Sequence, residues 1–419
     1  MKIRIHRGAN EIGGNCIEVE SNGERIILDI GLPLEAEKLG NDYKHYLPAI
    51  DGLNGSLHNL LAILISHPHI DHYGLLKYVN PEIPLGMGKN AWNILNSARF
   101  FKIDQWVVPK IKFEFEHRKE FTIGNFKITP YLVDHSAFDS YSLLIESEGK
   151  RIFYTGDFRL HGKKSKMMES LIQAPPTNID LLLMEGTNIS ESKKDRRETT
   201  EDDLLESFYD VIKTSKGITL IQTSSQNIDR IVTIYKACRK AGKKLVIDLY
   251  TAMILKATGS TSIPQSHWDG IELYLTRHQR YKVISANLFS DLTLHSKNRI
   301  YLEQLINFPN NKVLIFRPSM LKDFIKNESL FVNAKFIYSL WEGYWERESN
   351  RYFKSLIERN NITKISIHTS GHVYPKDWLR FGQAFAAKSM IPIHSFASSS
   401  YKEYFPNTIA YKEGEWHEI

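Results

Sequence analysis

The fold is decided by the stretch ILISHPHIDH at residues 63–72. The stretch opens with the apolar run 63–65, which is typical of a buried strand. Four side chains that commonly bind metal ions follow the strand within six positions: His67, His69, Asp71 and His72. Two histidines two positions apart can face one metal ion, and the Asp-His pair further along the turn can face a second. Neutral imidazoles and carboxylates suit zinc, so the spacing predicts the start of a two-zinc site.

Several other short apolar runs also stop at a side chain that can bind a metal ion or transfer a proton. Strands that release such side chains at their ends are typical of an active site along a sheet edge. Three residues in these positions are candidates to complete the metal site: His135, Asp157 and His394. Asp157 is predicted to be the carboxylate shared by both ions, and His394 the remaining ligand of the second ion. Glu185 and His368 also end apolar runs.

The chain changes character between residue 190 and about residue 363, where helix and strand patterns alternate. The first elements that we predict there are a helix over Glu201 to Ser215, a strand over Ile218 to Ile221 and a helix from Ile228 to near Gly242. Motif-bearing strands resume after this region, beginning with the apolar residues around 365–367. We therefore interpret the region as a parallel α/β unit inserted into the first domain. The predicted domains are 1–189, 190–363 and 364–419.

Composition limits the class of protein. The chain has 419 residues, enough for two or three compact domains, and 42% of them are hydrophobic. Its two cysteines, Cys16 and Cys238, are far apart, so neither a disulfide framework nor a zinc ribbon is encoded. No apolar run approaches the length of a membrane span, and the first residues lack a secretion signal. We therefore expect a soluble cytoplasmic protein that does not bind membranes.

Together these motifs resemble the metallo-β-lactamase superfamily and, within it, the β-CASP nucleases and the ribonuclease J-like proteins. Besides residues 67–72, the resemblance is carried by GANEIGGN at 8–15, ILDIG at 27–31, MEGTN at 184–188, HTSGH at 368–372 and His394. It covers nearly the whole chain. It implies an α/β fold in which a four-layer αββα metallo-β-lactamase sandwich carries an inserted α/β β-CASP domain. One departure is His394-Ser395-Phe396, where ribonuclease J-like proteins usually have Gly-Glu after the histidine.

The resemblance also implies roles for individual residues. Asp71, besides binding metal, would orient or deprotonate the attacking water, and Asp29 would support the metal site without binding the ions. His372 would contact the scissile phosphate and protonate the leaving oxygen, while Glu185 would orient a ligand histidine. The residues assigned to substrate binding are His368, Ser370 and Gly371, and support of this loop is the other role open to His368.

The predicted activity is hydrolysis of phosphodiester bonds in single-stranded RNA, by an exonucleolytic or endonucleolytic route. Two zinc ions, with manganese as an alternative metal, would share a water and hold the resulting hydroxide in line with phosphorus. The inserted domain would close over the cleft and hold the strand. A formal net charge of +6 permits a nucleic acid partner but does not require one. Oligomeric state does not follow from the resemblance, and a homodimer is left open.

Three other functions compete with this one. A DNA nuclease of the β-CASP repair type would typically carry valine in place of His394. A small-molecule hydrolase of the metallo-β-lactamase fold would not need an α/β insertion followed by Ser370-Gly371-His372. A scaffold that binds nucleic acid without cutting it would not need the full set of candidate ligands that this chain retains.

Overall fold

The structure is a computed structural model, and it describes residues 1–36, 43–101, 106, 108–189 and 198–419. The chain divides into two compact units. Unit 1 comprises Met1–Leu95, Trp106–Glu198 and Gly371–Ile419, and unit 2 comprises Asn96–Gln105 and Thr199–Ser370. In the sequence, each segment of unit 2 therefore lies between segments of unit 1.

Unit 1 contains two β-sheets. The strands of its first sheet are β1 (Lys2–Arg7), β2 (Cys16–Ser21), β3 (Glu24–Leu28), β4 (Leu60–Leu64), β5 (Leu85–Gly88), β6 (Ile111–Phe115) and β20 (Trp416–Glu418). Those of the second are β7 (Phe121–Ile123), β8 (Phe126–Val133), β9 (Ser140–Ser147), β10 (Lys150–Tyr154), β11 (Leu181–Glu185) and β19 (Ser389–Ile393). The spatial orders are β20-β1-β2-β3-β4-β5-β6 and β19-β11-β10-β9-β8-β7.

Unit 2 is built on one sheet whose neighbouring strands are all parallel. Its strands are β12 (Thr219–Gln222), β13 (Lys244–Asp248), β14 (Ile271–Tyr274), β15 (Arg299–Ile300), β16 (Lys312–Ile315), β17 (Lys335–Tyr338) and β18 (Lys364–Ser366). Their spatial order is β15-β14-β13-β16-β12-β17-β18. Parallel strands need crossover connections, which explains the alternation of helix and strand in the sequence.

The helices follow in chain order. They are α1 (Ile70–Tyr73), α2 (Lys89–Arg99), α3 (Ser165–Gln173), α4 (Asp203–Thr214), α5 (Ile228–Lys240), α6 (Leu249–Ala257), α7 (Arg277–Ser285), α8 (Phe289–His295), α9 (Leu302–Asn307), α10 (Leu321–Phe324), α11 (Arg351–Arg359), α12 (Pro375–Phe385) and α13 (Tyr401–Tyr404). Among the helices of the described ranges, none has both the length and the apolar character needed to cross a bilayer.

The central strands of unit 1 are apolar on both faces because both faces are covered. In β11, for example, Leu181 and Leu183 belong to the core between the two sheets, whereas Leu182 and Met184 belong to a second core on the opposite face. Successive side chains of a strand point to opposite faces, so a continuous apolar run marks a strand buried on both sides. Burying each such side chain contributes roughly 1.5–3 kcal/mol.

Helices cover the outer faces of both sheets. Residues of α1 and α2, including Tyr73 and Leu95, pack in the core outside the first sheet. Residues of α3 and α12, including Met168 and Phe381, pack in the core outside the second. The layers therefore run helix, sheet, sheet, helix, and the predicted four-layer sandwich is confirmed.

The strand ends that carry the candidate site belong to this sandwich. Strand β4 ends just before His67, and in the second sheet β8 ends before His135, β10 before Asp157 and β19 before His394. Strands β8 and β10 both pair antiparallel with β9, and β10, β11 and β19 are parallel. Their carboxyl ends consequently share one edge of the sheet, which places these candidate residues at that edge.

The structure corrects the placement of one strand. Residues 365–367 were expected among the strands of the first domain, but β18 pairs with β17 in the sheet of unit 2. The division observed in the structure lies after Ser370, later than the predicted boundary at residue 363. The other predicted boundary adjoins residues 190–197, which lie outside the described residues. The assignment of unit 2 as a β-CASP domain stays a prediction.

Truncation of a central side chain should show how much the core between the sheets contributes. Leu183 is fully buried there, and we expect Leu183→Ala to lower the free energy of unfolding by about 2–5 kcal/mol because it leaves a cavity. The matched control is Leu294→Ala, since Leu294 is 58% exposed and its truncation should change stability by less than about 0.5 kcal/mol. Urea denaturation followed by circular dichroism measures both. Equal shifts in the two variants would contradict the assignment of Leu183 to the core.

Candidate metal centre

The motif after β4 contains an extended segment followed by a short helix, and both carry candidate ligands. His69 has an extended conformation, with φ −87° and ψ 146°, and it precedes the short helix α1, which contains Asp71 and His72. The helix is tied down because Ile30 N–H donates to the carbonyl of His72 at 2.8 Å. Gly31 permits this approach, since a Cβ at that position would lie 1.7 Å from the carbonyl oxygen of Asp71.

Three histidines form the first group of candidate ligands. His67, His69 and His135 each offer one ring nitrogen, and these atoms all lie within 4.8 Å of one another. Nε2 of His135 is 3.1 Å from Nδ1 of His69. Sequence reasoning had assigned all three to the metal site, and the structure brings them together.

Two carboxylates and two histidines form the second group: Asp71, His72, Asp157 and His394. Nε2 of His72 lies 3.1 Å from Oδ2 of Asp157, and Nε2 of His394 lies 3.7 Å from Oδ2 of Asp71. Asp157 also approaches the first group, with its Oδ2 3.6 Å from Nε2 of His67. Its carboxylate is thus within reach of both groups, as a shared ligand would be.

Several buried polar atoms in these groups have no hydrogen-bond partner among the described residues. They are Nε2 of His67, Nε2 of His394 and Oδ1 of Asp157. Burying a polar atom without a partner costs about 1–3 kcal/mol, so such atoms call for an explanation. A metal ion would supply the missing partner for all three, and the His/Asp groups are compatible with metal binding.

Hydrogen bonds beneath the ligands fix which ring nitrogen is available. Nδ1 of His135 donates to the carbonyl of Gly371 at 2.6 Å, which leaves Nε2 for a metal ion. Nδ1 of His72 lies 2.7 Å from Oδ2 of Asp29, and its Nε2 faces Asp157. Asp29 also accepts from the backbone N–H and the hydroxyl of Ser66 at 2.7 and 2.8 Å. It therefore supports the site without belonging to a ligand group, as the resemblance implied.

The protonation states of the first group suit metal binding. Burial holds the pKa of His67 and of His135 well below the usual range, and the neighbouring histidines add to the effect. Burial also lowers the pKa of His69 to about 4. These imidazoles are consequently neutral near pH 7, the form in which histidine binds metal ions.

Asp157 stays ionised although it is buried. Burial opposes ionisation, but His394 and His72 outweigh it and hold the pKa of Asp157 well below the usual range. Burial likewise opposes protonation of His72, yet Asp157 and Asp29 raise the pKa of His72 well above its usual value. The second group therefore contains a stable negative charge.

His372 and Glu185 lie beside the two groups. Nδ1 of His372 is 3.2 Å from Oε1 of Glu185 and 3.7 Å from Oδ2 of Asp157. Glu185 is fully buried, whereas the side chain of His372 is 21% exposed. Burial opposes the charged form, but Glu185 and Asp157 raise the pKa of His372 to about 9. Glu185 was predicted to orient a ligand histidine, and its imidazole contact in the structure is with His372.

The three predicted substrate-binding residues fall in different units. His368 and Ser370 belong to unit 2, and Gly371 belongs to unit 1. A Cβ on Gly371 would lie 2.5 Å from the hydroxyl of Ser136, so this glycine is required for close packing. Its carbonyl, which accepts from His135, has a role that the sequence analysis did not predict.

Sequence reasoning also missed residues that support the ligands. The hydroxyl of Tyr154 donates to Asp29, and Asn15 lies between Tyr154 and His394, with its Oδ1 3.2 Å from Nδ1 of His394. Asn15 lies in the stretch 8–15 that carries the resemblance, whereas the sequence analysis did not single out Tyr154. A polar group at the end of an apolar strand, directly before Thr155-Gly156-Asp157, is the signal that could have identified Tyr154.

Comparison with known proteins agrees with this architecture. Residues 40–214 match the model of a β-lactamase superfamily domain. Ribonuclease J of Helicobacter pylori strain 26695 is 27% identical over 257 residues, which cover 59% of this chain and 36% of that protein. The chain is a metallo-β-lactamase-fold protein similar to ribonuclease J.

Two further relatives extend the comparison. An RNase J-like protein of Methanocaldococcus jannaschii is 24% identical over 262 residues, covering 59% of this chain and 58% of the relative. The matched region thus spans less than two thirds of the length of either relative. A crystal structure of a protein of unknown function from Enterococcus faecalis V583 covers 99% of both chains with a TM-score of 0.77 and 20% identity. At that identity the likeness shows a shared fold.

Metal content should depend on the shared carboxylate. We expect Asp157→Ala to lose most of the bound metal because this side chain reaches both groups, and His67→Ala to lose part of it. The control is His58→Ala, an exposed histidine away from the site. The metal content is measured by inductively coupled plasma mass spectrometry, after each protein has been equilibrated with zinc by dialysis. Unchanged metal content in Asp157→Ala would show that the two groups are not a metal site.

Loss of the Asp29 carboxylate should weaken metal binding without abolishing it. In Asp29→Asn an amide replaces the carboxylate that accepts hydrogen bonds from His72, Ser66 and Tyr154. The His72 ring then loses its hydrogen bond to a charged group. We expect metal affinity to fall by about 10–100-fold, the usual effect of removing such a support. Competition with a chromogenic chelator measures the change. An affinity equal to that of the unmodified protein would rule out this role for Asp29.

Proposed function

We propose that the chain is a metal-dependent phosphodiesterase that hydrolyses single-stranded RNA. The observation that carries the proposal is the position of Asp157, whose carboxylate reaches both groups of candidate ligands while one of its oxygens lacks a hydrogen-bond partner among the described residues. The names of the relatives support RNA as the substrate, since those proteins are called ribonuclease J. Because the match spans only part of their length, the activity is inferred from the site together with the similarity.

The donor set fits two zinc ions. The first group offers three imidazoles, and the second offers two imidazoles and two carboxylates, of which Asp157 also lies 3.6 Å from His67. Such ions, when bound, would lower the pKa of a water molecule and neutralise negative charge on the phosphate. Asp71 is the less buried carboxylate of the second group, with its side chain 15% exposed, so it is suited to orienting a water molecule. Manganese also accepts imidazole and carboxylate ligands and is the alternative metal.

His372 is the proposed general acid. Burial opposes the charged form, but Glu185 and Asp157 raise its pKa to about 9, which favours the protonated form that a general acid requires. Glu185 holds the ring through Nδ1, which leaves Nε2 as the atom that would donate the proton to the leaving oxygen. Thr187 hydroxyl, 3.1 Å from the same Nδ1, further restricts the ring.

In this proposal, unit 2 is a β-CASP domain that holds the RNA strand. His368, Ser370 and Gly371 would contact phosphates of the strand, because they lie on the segment that leads directly to His372. A cytoplasmic location fits the two buried, unpaired cysteines, which suit a reducing compartment.

The decisive experiment offers the protein four substrates: single-stranded RNA and DNA, each with a 5′-monophosphate or a 5′-hydroxyl. We expect cleavage of RNA in the presence of zinc or manganese, and loss of cleavage in His69→Ala. In His372→Ala the rate should fall by about 10²–10⁴-fold, the usual contribution of a general acid, while metal content stays unchanged. His58→Ala should behave as the unmodified protein.

The outcomes separate the competing functions. Cleavage of DNA alone would support the repair-type DNA nuclease. Failure to cut either nucleic acid with any divalent metal would refute the nuclease proposal and would favour a small-molecule hydrolase or a binding scaffold. A His372→Ala variant with full activity would leave the nuclease proposal standing but would remove the general acid from it.

A further inference from the structure

Unit 2 contains a fully buried ion pair that the proposed chemistry does not use. Arg230, on α5, and Glu201 are both 0% exposed. The guanidinium donates twice to the carboxylate, from Nη2 to Oε1 at 2.9 Å and from Nε to Oε2 at 3.2 Å. Two charges removed from water in this way are costly unless their remaining hydrogen-bonding capacity is also satisfied.

The rest of the guanidinium is directed at the segment that carries His368 and Ser370. Nη2 of Arg230 donates to the carbonyl of Thr369 at 3.4 Å, and Nη1 lies 3.5 Å from Nδ1 of His368. A guanidinium can only donate hydrogen bonds, so Nδ1 of His368 acts as an acceptor. The proton of a neutral His368 is then on Nε2, where it can serve as a donor to an anionic ligand.

Ser339 links the same guanidinium to the strand that precedes this segment. Its hydroxyl accepts from Nη1 of Arg230 and donates to the carbonyl of Ile367 at 2.6 Å. The hydroxyl of Thr369 donates in turn to the carbonyl of Thr199, at the start of the main segment of unit 2. Residues 367–369 are therefore held at three successive positions by one buried network.

We propose that Arg230, held by Glu201 and coupled through Ser339, is a positioning residue that fixes the backbone of residues 367–370 and the tautomer of His368 for binding RNA phosphate. The proposal rests on the proposed function, because it assigns the binding partner of His368 from it. Arg230 is buried and acts through other residues, so its loss should weaken substrate binding more than it slows the chemical step.

The test compares three variants of the full chain. Ser339→Ala removes the hydroxyl that joins Arg230 to Ile367 and leaves the Arg230–Glu201 pair in place, so the fold should be retained. Arg230→Lys keeps the charge opposite Glu201 but loses the fork that reaches the loop. Arg239→Lys is the matched control, since Arg239 lies on the same helix in an exposed pair with Asp269.

Two measurements are made on each variant. Hydrogen–deuterium exchange of the segment 367–370, read by mass spectrometry, should be about tenfold faster in Ser339→Ala and Arg230→Lys and unchanged in Arg239→Lys. For single-stranded RNA we expect KM to rise about tenfold, the effect of weakening one phosphate contact, with kcat changed less than twofold.

Each outcome decides the proposal. Unchanged exchange in both Ser339→Ala and Arg230→Lys would overturn it whether or not RNA is cut. Faster exchange with an unchanged KM, or with a loss confined to kcat, would also overturn it. If the unmodified protein cuts no RNA, the proposed function fails separately; the RNA-binding role then fails with it, and faster exchange would support only the structural coupling of Arg230 to the segment.

Discussion

The carboxylate of Asp157 lies within 4 Å of imidazole nitrogens from five histidines, and the candidate site depends on this contact. The histidines come from segments that are far apart in sequence, so the carboxylate is the point at which those segments meet. Its negative charge helps to raise the pKa of His72 and of His372, although burial opposes protonation of both. Burial alone would raise the pKa of Asp157, and the surrounding rings reverse that tendency.

The sandwich can accommodate this concentration of polar groups because the residues that pack its cores and the residues of the candidate site lie in different places. Central strands such as β11 are apolar on both faces, and the polar side chains of the candidate site follow the ends of strands. In β10, Ile152 and Tyr154 face the core between the sheets, Phe153 faces the outer core, and Thr155-Gly156-Asp157 follows at the edge. A single alternating sequence thereby specifies both the stable layers and the position of the carboxylate.

Much of this arrangement could be predicted from the sequence because it is local. The spacing of His67, His69, Asp71 and His72 after an apolar run reports both a strand and a ligand cluster. Contacts between distant segments left no such local pattern: Asn15 beside His394, or the carbonyl of Gly371 beside His135. The strand at 364–366 was assigned to the wrong sheet for the same reason. The sequence of a short parallel strand is similar in either sheet, and only the pairing of β18 with β17 shows to which sheet it belongs.

His394 has a left-handed backbone conformation, with φ 51°, and its N–H donates to the carbonyl of Gly8 at 2.6 Å. The second ligand group thus includes His394, which is synthesised only after all of unit 2 and yet is hydrogen-bonded to a residue directly after β1. The three histidines of the first group are synthesised before the main segment of unit 2, but Gly371, which accepts a hydrogen bond from His135, follows that segment. A nascent chain would consequently present an incomplete centre, and full competence would arise only as a late step of biogenesis.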